Sequence, residues 1–339
     1  MKAVALTHYL PISDPRSLID VELERPVATG HDLLVQVDAV SVNPVDTKVR
    51  APKDKVEPMP RVLGYDAAGV VEAVGDAVTL FQPGDRVYYA GDLTRPGTNA
   101  HYHLVDERIT GPMPTTLGFG AAAALPLTGI TAWEALFDRL HIDPDGANRG
   151  ESLLIVGGAG GVGSIAIQLA RRAGLTVIAT ASRSASTAWV EQLGADHVIN
   201  HREDMVAQMK ALGMETVDHI LCLNATEHHW PALTTLIAPQ RMICSIVESP
   251  VPLDLEPLKS KSAGFVWEFM FTRSMYQTSD MIEQHRLLAT LADMIDSGRL
   301  QTTLGEVVGP INAANLRHGH KMVEGGSTIG KIVLEGWPA

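Results

Sequence analysis

Along the first 124 residues the apolar positions fall in short runs rich in β-branched side chains. Leu33-Leu34-Val35-Gln36-Val37-Asp38-Ala39-Val40 and Gly69-Val70-Val71-Glu72-Ala73-Val74 have the pattern of half-buried strands. Pro83-Gly84-Asp85 and Arg95-Pro96-Gly97 punctuate them as turns, and the charged, proline-rich stretch 54–60 predicts an exposed loop. From Leu125 the pattern changes. Near-continuous apolar runs at about 153–157, 175–181, 197–200, 217–223 and 240–247 are separated by stretches of helical period. That alternation predicts a doubly wound parallel sheet, because parallel strands buried on both faces need helical crossovers. The run 264–271 predicts a last strand, lying either at a subunit contact or in the core. Residues 281–295 carry helical periodicity, and the tail 330–334 returns to strand.

One stretch organises the second half. The apolar run Leu153-Leu154-Ile155-Val156 is followed by Gly157-Gly158-Ala159-Gly160-Gly161-Val162-Gly163 and then by an apolar-periodic helix. Gly158, Gly160 and Gly163 fit G-x-G-x-x-G in its strand–turn–helix setting, with Gly161 and Val162 inside the motif. Such a turn brings a pyrophosphate against backbone N–H groups at a helix N-terminus. In NAD-binding units a carboxylate stands about 20 residues on and binds the ribose 2′-hydroxyl. Here Ser182 stands 19 residues past Gly163, followed by Arg183, and the preceding run Val177-Ile178-Ala179-Thr180-Ala181 ends without an acid. A hydroxyl and a guanidinium suit a 2′-phosphate, which predicts NADPH over NADH. Asn224 and Val247 follow the fourth and fifth strands at their carboxyl ends, where cofactor contacts gather.

Composition narrows the setting. The chain has 339 residues, enough for two domains, and 45% hydrophobic content, ordinary for a globular protein. No apolar run reaches membrane-spanning length, and the N-terminus begins like a strand rather than a signal peptide. Two cysteines, Cys222 and Cys244, both in apolar runs, predict buried thiols and a cytoplasmic setting. A net charge of −12 disfavours nucleic acid or an anionic membrane as partner.

Nearly end to end, the chain resembles the medium-chain dehydrogenase/reductase superfamily. Gly64-Tyr65-Asp66-Ala67-Ala68-Gly69-Val70-Val71-Glu72-Ala73-Val74-Gly75, with Pro83-Gly84-Asp85-Arg86-Val87, is similar to its G-H-E-x-x-G-x-V-x-x-V-G…G-D-x-V signature. Ser41-Val42-Asn43-Pro44-Val45-Asp46 and Leu127-Thr128-Gly129-Ile130-Thr131-Ala132 match two further family stretches. Within the superfamily it resembles the zinc-free quinone oxidoreductase branch and, more nearly, proteins called zinc-type alcohol dehydrogenase-like. The resemblance implies a GroES-like β-rich catalytic domain in two segments, 1–124 and 273–339. Between them lies a Rossmann NADP-binding domain, 125–272, with the active cleft between the domains. A homodimer through the last sheet strand is the family-based expectation.

The positions that match the family's catalytic zinc ligands are Asn43, Tyr65 and Ala124, two poor donors and a methyl group. A structural zinc site needs four cysteines. The reading is therefore that no metal binds: Asp66 and His103 could in principle hold an ion, but no adequate ligand spacing surrounds them. By resemblance, Asn43 and Thr128 border the nicotinamide, and His201 lies against the adenosine end. Tyr65 either donates to a developing oxyanion or fills the space the metal vacated. Lys48 stands where zinc-free relatives often carry tyrosine, and either places positive charge near an enolate or points to solvent. Asp46 and Arg50, four apart, are expected to pair and order their loop. Tyr89, Tyr102 and Trp267 are cleft or core aromatics, and the doublet His228-His229 is expected as a solvated helix cap rather than a metal site.

Taken together these readings predict a cytoplasmic NADPH-dependent reductase of quinones or α,β-unsaturated carbonyl compounds, with Tyr65, Asn43 and Lys48 at the reacting end. The competing readings are a zinc-dependent alcohol dehydrogenase and a non-catalytic NADPH-binding sensor. The stretches 51–61 and 249–274 are expected to wall the substrate pocket.

Overall fold

The computed structural model describes residues 1–338, and the chain divides into two compact units. Unit 1 comprises Met1–Ile130 and Phe271–Ala339; unit 2 comprises Thr131–Met270. The chain thus leaves and re-enters unit 1, as the resemblance implies. The division falls at Ile130 and Met270, whereas the sequence reading puts it at 124 and 272.

Unit 1 is built on antiparallel strands. β1 (Lys2–Tyr9), β2 (Ile19–Glu22), β3 (Asp32–Val42), α1 (Pro44–Arg50), β4 (Lys53–Val62), β5 (Ala67–Val74), β6 (Arg86–Tyr89), β7 (Tyr102–Asp106) and β8 (Thr110–Pro112) come first. Two short helices follow, α2 (Phe119–Ala123) and α3 (Pro126–Trp133), the second carrying the chain toward unit 2. β2-β1-β4 form one small sheet. The strand predictions at 33–40 and 69–74 correspond to β3 and β5, which pair along most of their length. Their inward residues, among them Leu33, Val35, Val37, Val40, Ala67 and Val71, form the core of this unit.

The stretch 54–60 is exposed, as expected, but it is not a loop: it lies within β4 and pairs with β1, with register shifts between Leu6 and Tyr9. Pro58 and Pro60 are tolerated because β4 is an edge strand, where a missing N–H breaks no ladder.

In unit 2 the order is β9 (Ser152–Val156), α4 (Gly161–Arg172), β10 (Thr176–Thr180), α5 (Ser184–Gln192), β11 (His197–Ile199), α6 (Met205–Ala211), β12 (Val217–Cys222), α7 (Thr226–Leu236), β13 (Ile237–Ser245), α8 (Glu256–Lys259) and β14 (Gly264–Trp267). All pairings are parallel, in the spatial order β11-β10-β9-β12-β13-β14. This is the doubly wound order 3-2-1-4-5-6, whose direction reverses beside the first strand. Leu154, Ile178, Ile220 and Ile243, on neighbouring strands, are fully buried. The last strand is shorter than expected, ending at Trp267 rather than 271. Cys222 and Cys244 are buried free thiols, and burial pushes Cys222 up to about 11.

The chain then completes unit 1 with α9 (Thr272–Tyr276), α10 (Glu283–Asp296), β15 (Leu304–Gly309), α11 (Ala313–Glu324) and β16 (Lys331–Glu335). β16 joins the larger sheet antiparallel to β3, with β15 outside it. α10 lies against β6 and β8: Tyr88 donates its phenol proton to the Leu288 carbonyl at 2.6 Å. Among the described residues no helix is long and apolar enough to cross a membrane.

Candidate functional site

The glycine turn of unit 2 has the geometry its sequence predicts, with one addition. Its left-handed residue is Gly157, at φ +88°, which precedes the motif glycines. Its N–H is held by the Thr180 hydroxyl at 2.9 Å, which fastens the turn to β10. Each motif glycine answers a different constraint. A Cβ on Gly163 would sit 2.5 Å from the Gly157 carbonyl oxygen, so strand and helix meet too closely for any side chain. One on Gly158 would press on Ala179 and Val190 at 3.0 and 3.3 Å. One on Gly160 would meet nothing closer than 3.6 Å, so the protein's own packing does not require a glycine there. Space kept open at that point fits a ligand approaching the backbone. Gly161, Val162 and Gly163 open α4, so their amides precede the helical ladder and are available to an anion.

At the end of β10, Ser182 is half-buried and Arg183 is exposed at the N-terminus of α5. Ser186 fixes this corner, donating to the Arg183 carbonyl at 2.8 Å. No carboxylate stands among Ala181, Ser182 and Arg183. The adjoining strand end is tied in by a bond from the Ala181 N–H to the Ile199 carbonyl at 3.0 Å, and His201 follows two residues later. Asn224 is exposed and Val247 half-buried. The Val247 carbonyl accepts from Thr226 Oγ1 at 3.0 Å, and Thr226 Oγ1 bonds Ser245 Oγ at 2.7 Å, which holds the β12 and β13 ends together. Between them Ala225 adopts a left-handed backbone, φ +44°, rare for a residue with a side chain and concentrated at functional turns. Sequence reading had no signal for it.

The doublet at 228–229 departs from the expectation of a solvated cap. His228 is exposed, but His229 is buried and its ring meets that of His201. The reason is packing: α7 buries one face, Thr226, His229, Trp230 and Leu233 at helical spacing, and His228 falls outside it.

In unit 1, Asp66 is the centre of a buried polar cluster. Its Oδ2 accepts from Ser41 Oγ at 2.7 Å, Asn43 Nδ2 at 2.7 Å and Lys331 Nζ at 3.0 Å, and its Oδ1 accepts from the Leu127 N–H at 2.7 Å. Lys331 also donates to Asn43 Oδ1. The lysine, from β16, is as buried as its partner, and an ion pair in such a place depends on this full set of hydrogen bonds. Sequence reading missed Lys331; only the antiparallel pairing of β16 with β3 brings it here. Asn43 is therefore fully buried with both ends of its amide bonded inside unit 1. A ligand contact would have to use its second N–H or second lone pair.

Asp46, on α1, accepts the Asn43 N–H at 2.7 Å and leaves its Oδ1 buried without a partner. Burial pushes this carboxyl up to about 7. The expected pair with Arg50 does not form. The Arg50 guanidinium donates to the Leu10 carbonyl and to Glu324 on α11, which lies closer to its tip than a residue one turn back. Lys48 is exposed on α1.

Tyr65 is buried, with its ring edge-on to Phe271 at 5.5 Å. Burial, reinforced by Asp46, holds its phenol above the ordinary value, while the charge of the Arg61 guanidinium opposes the shift. Arg61 is itself fixed by Tyr9, to whose phenol oxygen it donates at 2.8 Å. Thr128 is buried and donates to the carbonyls of its own helix, 3.2 Å from Leu125 and 3.4 Å from Ala124. His103 is a core residue. Its Nε2 donates to the Pro96 carbonyl at 2.9 Å, its Nδ1 accepts from Tyr89 at 3.1 Å, and burial pushes it down to about 4. Tyr89 is in the core, Tyr102 lies under the Arg25 guanidinium, and Trp267 is exposed on β14. Among the described residues no group of three His, Cys, Asp or Glu side chains is placed to hold a metal ion.

A GroES-like β unit in two segments, together with a six-stranded parallel sheet and its glycine turn, defines an oxidoreductase of the dinucleotide-dependent kind. The chain matches the alcohol dehydrogenase GroES-like domain over residues 29–128 and the zinc-binding dehydrogenase family over residues 193–334. It is 47% identical to a zinc-type alcohol dehydrogenase-like protein of Staphylococcus aureus strain MSSA476, over 92% of this chain and 93% of that one. It is 35% identical to the quinone oxidoreductase of Lama guanicoe, over 74% and 76%. Among solved structures, a presumed zinc-dependent alcohol dehydrogenase of Rhizobium etli CFN 42 matches at TM-score 0.95 and 51% identity, covering 100% of this chain and 99% of that one. The Escherichia coli quinone oxidoreductase complexed with NADPH matches at 0.82 and 25%, covering 99% and 100%. The chain belongs to the medium-chain dehydrogenase/reductase superfamily.

Proposed function

We propose that this chain is an NADPH-dependent reductase of quinones or α,β-unsaturated carbonyl compounds that works without a catalytic metal. The observation that carries the reading is chemical: the three positions matching zinc ligands offer an amide bonded at both ends, a phenol that burial keeps protonated, and a methyl group. None is an available thiolate, imidazole or carboxylate. The zinc in the names of several relatives is a statement about those proteins.

Bound NADPH would supply a hydride. The glycine turn and the first amides of α4 would hold its pyrophosphate, and Ser182 with Arg183 would take the 2′-phosphate, which an acid in that place would repel. A conjugated substrate needs little electrophilic help, because charge from addition at the β-carbon spreads to an enolate or hydroquinone oxygen. Tyr65 is suited to meet that oxygen. Its phenol stays protonated across the physiological range and so has an O–H to donate. Lys48 is too exposed to be assigned a part in this step. The working form in this reading is a homodimer through the free edge of β14, with a small molecule as substrate.

The test is to mix purified protein with NADPH and a panel of enones and quinones, alongside measurement of its zinc content. NADPH oxidation with a metal-free preparation is expected, and Tyr65→Phe should lower kcat by about 10²-fold with little change in cofactor affinity. Stoichiometric zinc with activity on simple alcohols would replace this reading by the zinc-dependent one. Tight NADPH binding with no turnover across the panel would replace it by a sensor.

A further inference from the structure

Three histidine rings gather at the carboxyl end of the unit 2 sheet, and the nucleotide site described above uses only one of them. His201 follows β11, and His228 and His229 occupy the first turn of α7. The His201 and His229 rings lie 6.0 Å apart, edge to face at 88°; those of His228 and His229 lie 4.9 Å apart at 78°. His229 is buried, His201 half-buried and His228 exposed, so the cluster runs from the interior to solvent. It adjoins the Ser182–Arg183 corner, because Ala181 and Ile199 are hydrogen-bonded across the ends of β10 and β11.

Two of the rings, those of His201 and His229, are biased toward the neutral form. Burial, then Arg202 and His228, holds His201 below its ordinary range. Burial, then His228 and His201, pushes His229 down to about 4, with Glu227 pulling the other way. Arg183 stands at the head of α5, and Glu203, two residues past His201, is engaged by Asn200 Nδ2 at 2.8 Å. His201 Nδ1 is buried without a hydrogen-bond partner. A bare buried N–H costs more than a bare lone pair, so the neutral ring carries its proton on Nε2 and presents that N–H as its donor.

We propose that this histidine cluster reads the 2′-phosphate of NADPH and makes its binding proton-linked, with His201 as the contact and His229 as its positioning residue. The proposal rests on the reading of NADPH as the cofactor. A phosphate dianion docking against the neutral cluster favours its protonated form, so one proton moves from solvent onto the cluster and nothing else is transferred. The sign is diagnostic. A site that held the phosphate by Arg183 alone would select the dianion and release protons near the phosphate's second pKa of about 6; the histidine cluster takes protons up.

Calorimetric titration at pH 7.5 in two buffers of different protonation enthalpy counts those protons. NADPH is expected to bind with an uptake of up to about one proton, and NADH with none. NADPH affinity should rise roughly five- to tenfold from pH 8 to pH 6.5 while NADH affinity stays flat. His201→Gln should abolish both the uptake and the slope. His229→Gln should reduce both, with a thermal melt checking that the buried substitution folds; the exposed variant His228→Gln tests the cluster without that risk and should lower the uptake. Selective NADPH binding with no uptake, with proton release, or with uptake unchanged in His201→Gln overturns the proposal while leaving the cofactor reading intact. Failure to bind either nucleotide, or equal affinity for both, overturns the cofactor reading itself.

Discussion

At the scale of single residues, unit 1 keeps two buried acids in opposite circumstances, both hydrogen-bonded to Asn43. Asp66 has every lone pair it needs answered, by Ser41, Asn43, Lys331 and the Leu127 amide. Asp46 has one oxygen answered and one bare. Its folded pKa of about 7 lies above the usual carboxylate value of 3.8. A group raised on folding contributes stability below its unfolded pKa, and that contribution is lost as pH rises through the folded value. The protein is therefore expected to lose stability between about pH 4 and pH 7. Asp46→Asn should flatten that slope and melt higher than the parent at pH 8, read by thermal denaturation across the range. In unit 2, Arg183→Ala should weaken NADPH binding by about 10- to 100-fold and leave NADH unchanged, measured by fluorescence titration, as loss of a hydrogen bond to a charged group implies.

At the scale of elements, the glycine turn separates what folding needs from what a ligand needs. Gly163→Ala drives a Cβ into the backbone oxygens of Gly157 and Gly158 at 2.5 and 2.6 Å. It should lower the melting temperature and abolish nucleotide binding together. Gly160→Ala meets nothing closer than 3.6 Å. It should melt like the parent yet bind NADPH at least tenfold more weakly, because the added methyl would stand where a pyrophosphate approaches. Most elements of unit 2 were legible because strands buried on both faces are nearly continuous apolar runs. β4 was not: its charged, proline-containing sequence has no strand pattern of its own, and it becomes a strand because β1 offers it a partner and Tyr9 bonds Glu57 and Arg61 along it. The histidine doublet shows the same limit in a helix. Its sequence puts two rings side by side, and only the packing of α7 decides that His229 turns inward to His201.

At the scale of the whole molecule, the six-stranded sheet ends in β14, an edge that no strand of the chain covers among the described residues. Trp267 is 46% exposed there and Phe269 43%. A free apolar edge is a template for a second copy. Trp267→Lys is expected to shift the protein from dimer to monomer in sedimentation velocity; a parent already monomeric at micromolar concentration would exclude this edge as the contact.

The sequence by itself determined the doubly wound sheet, the glycine turn, the absence of an acid after β10 and the unsuitability of Asn43, Tyr65 and Ala124 as zinc ligands. All of these are local patterns or residue identities that folding does not alter. Tertiary structure alone decided that Lys331, 265 residues from Asp66, supplies its counter-charge. It decided too that Arg50 pairs with Glu324 rather than Asp46, and that the His201 ring meets the 228–229 pair. Each of these is a contact between residues distant in the chain. Burial then sets its energetics, and neither distance nor burial is written in the sequence around any one of them.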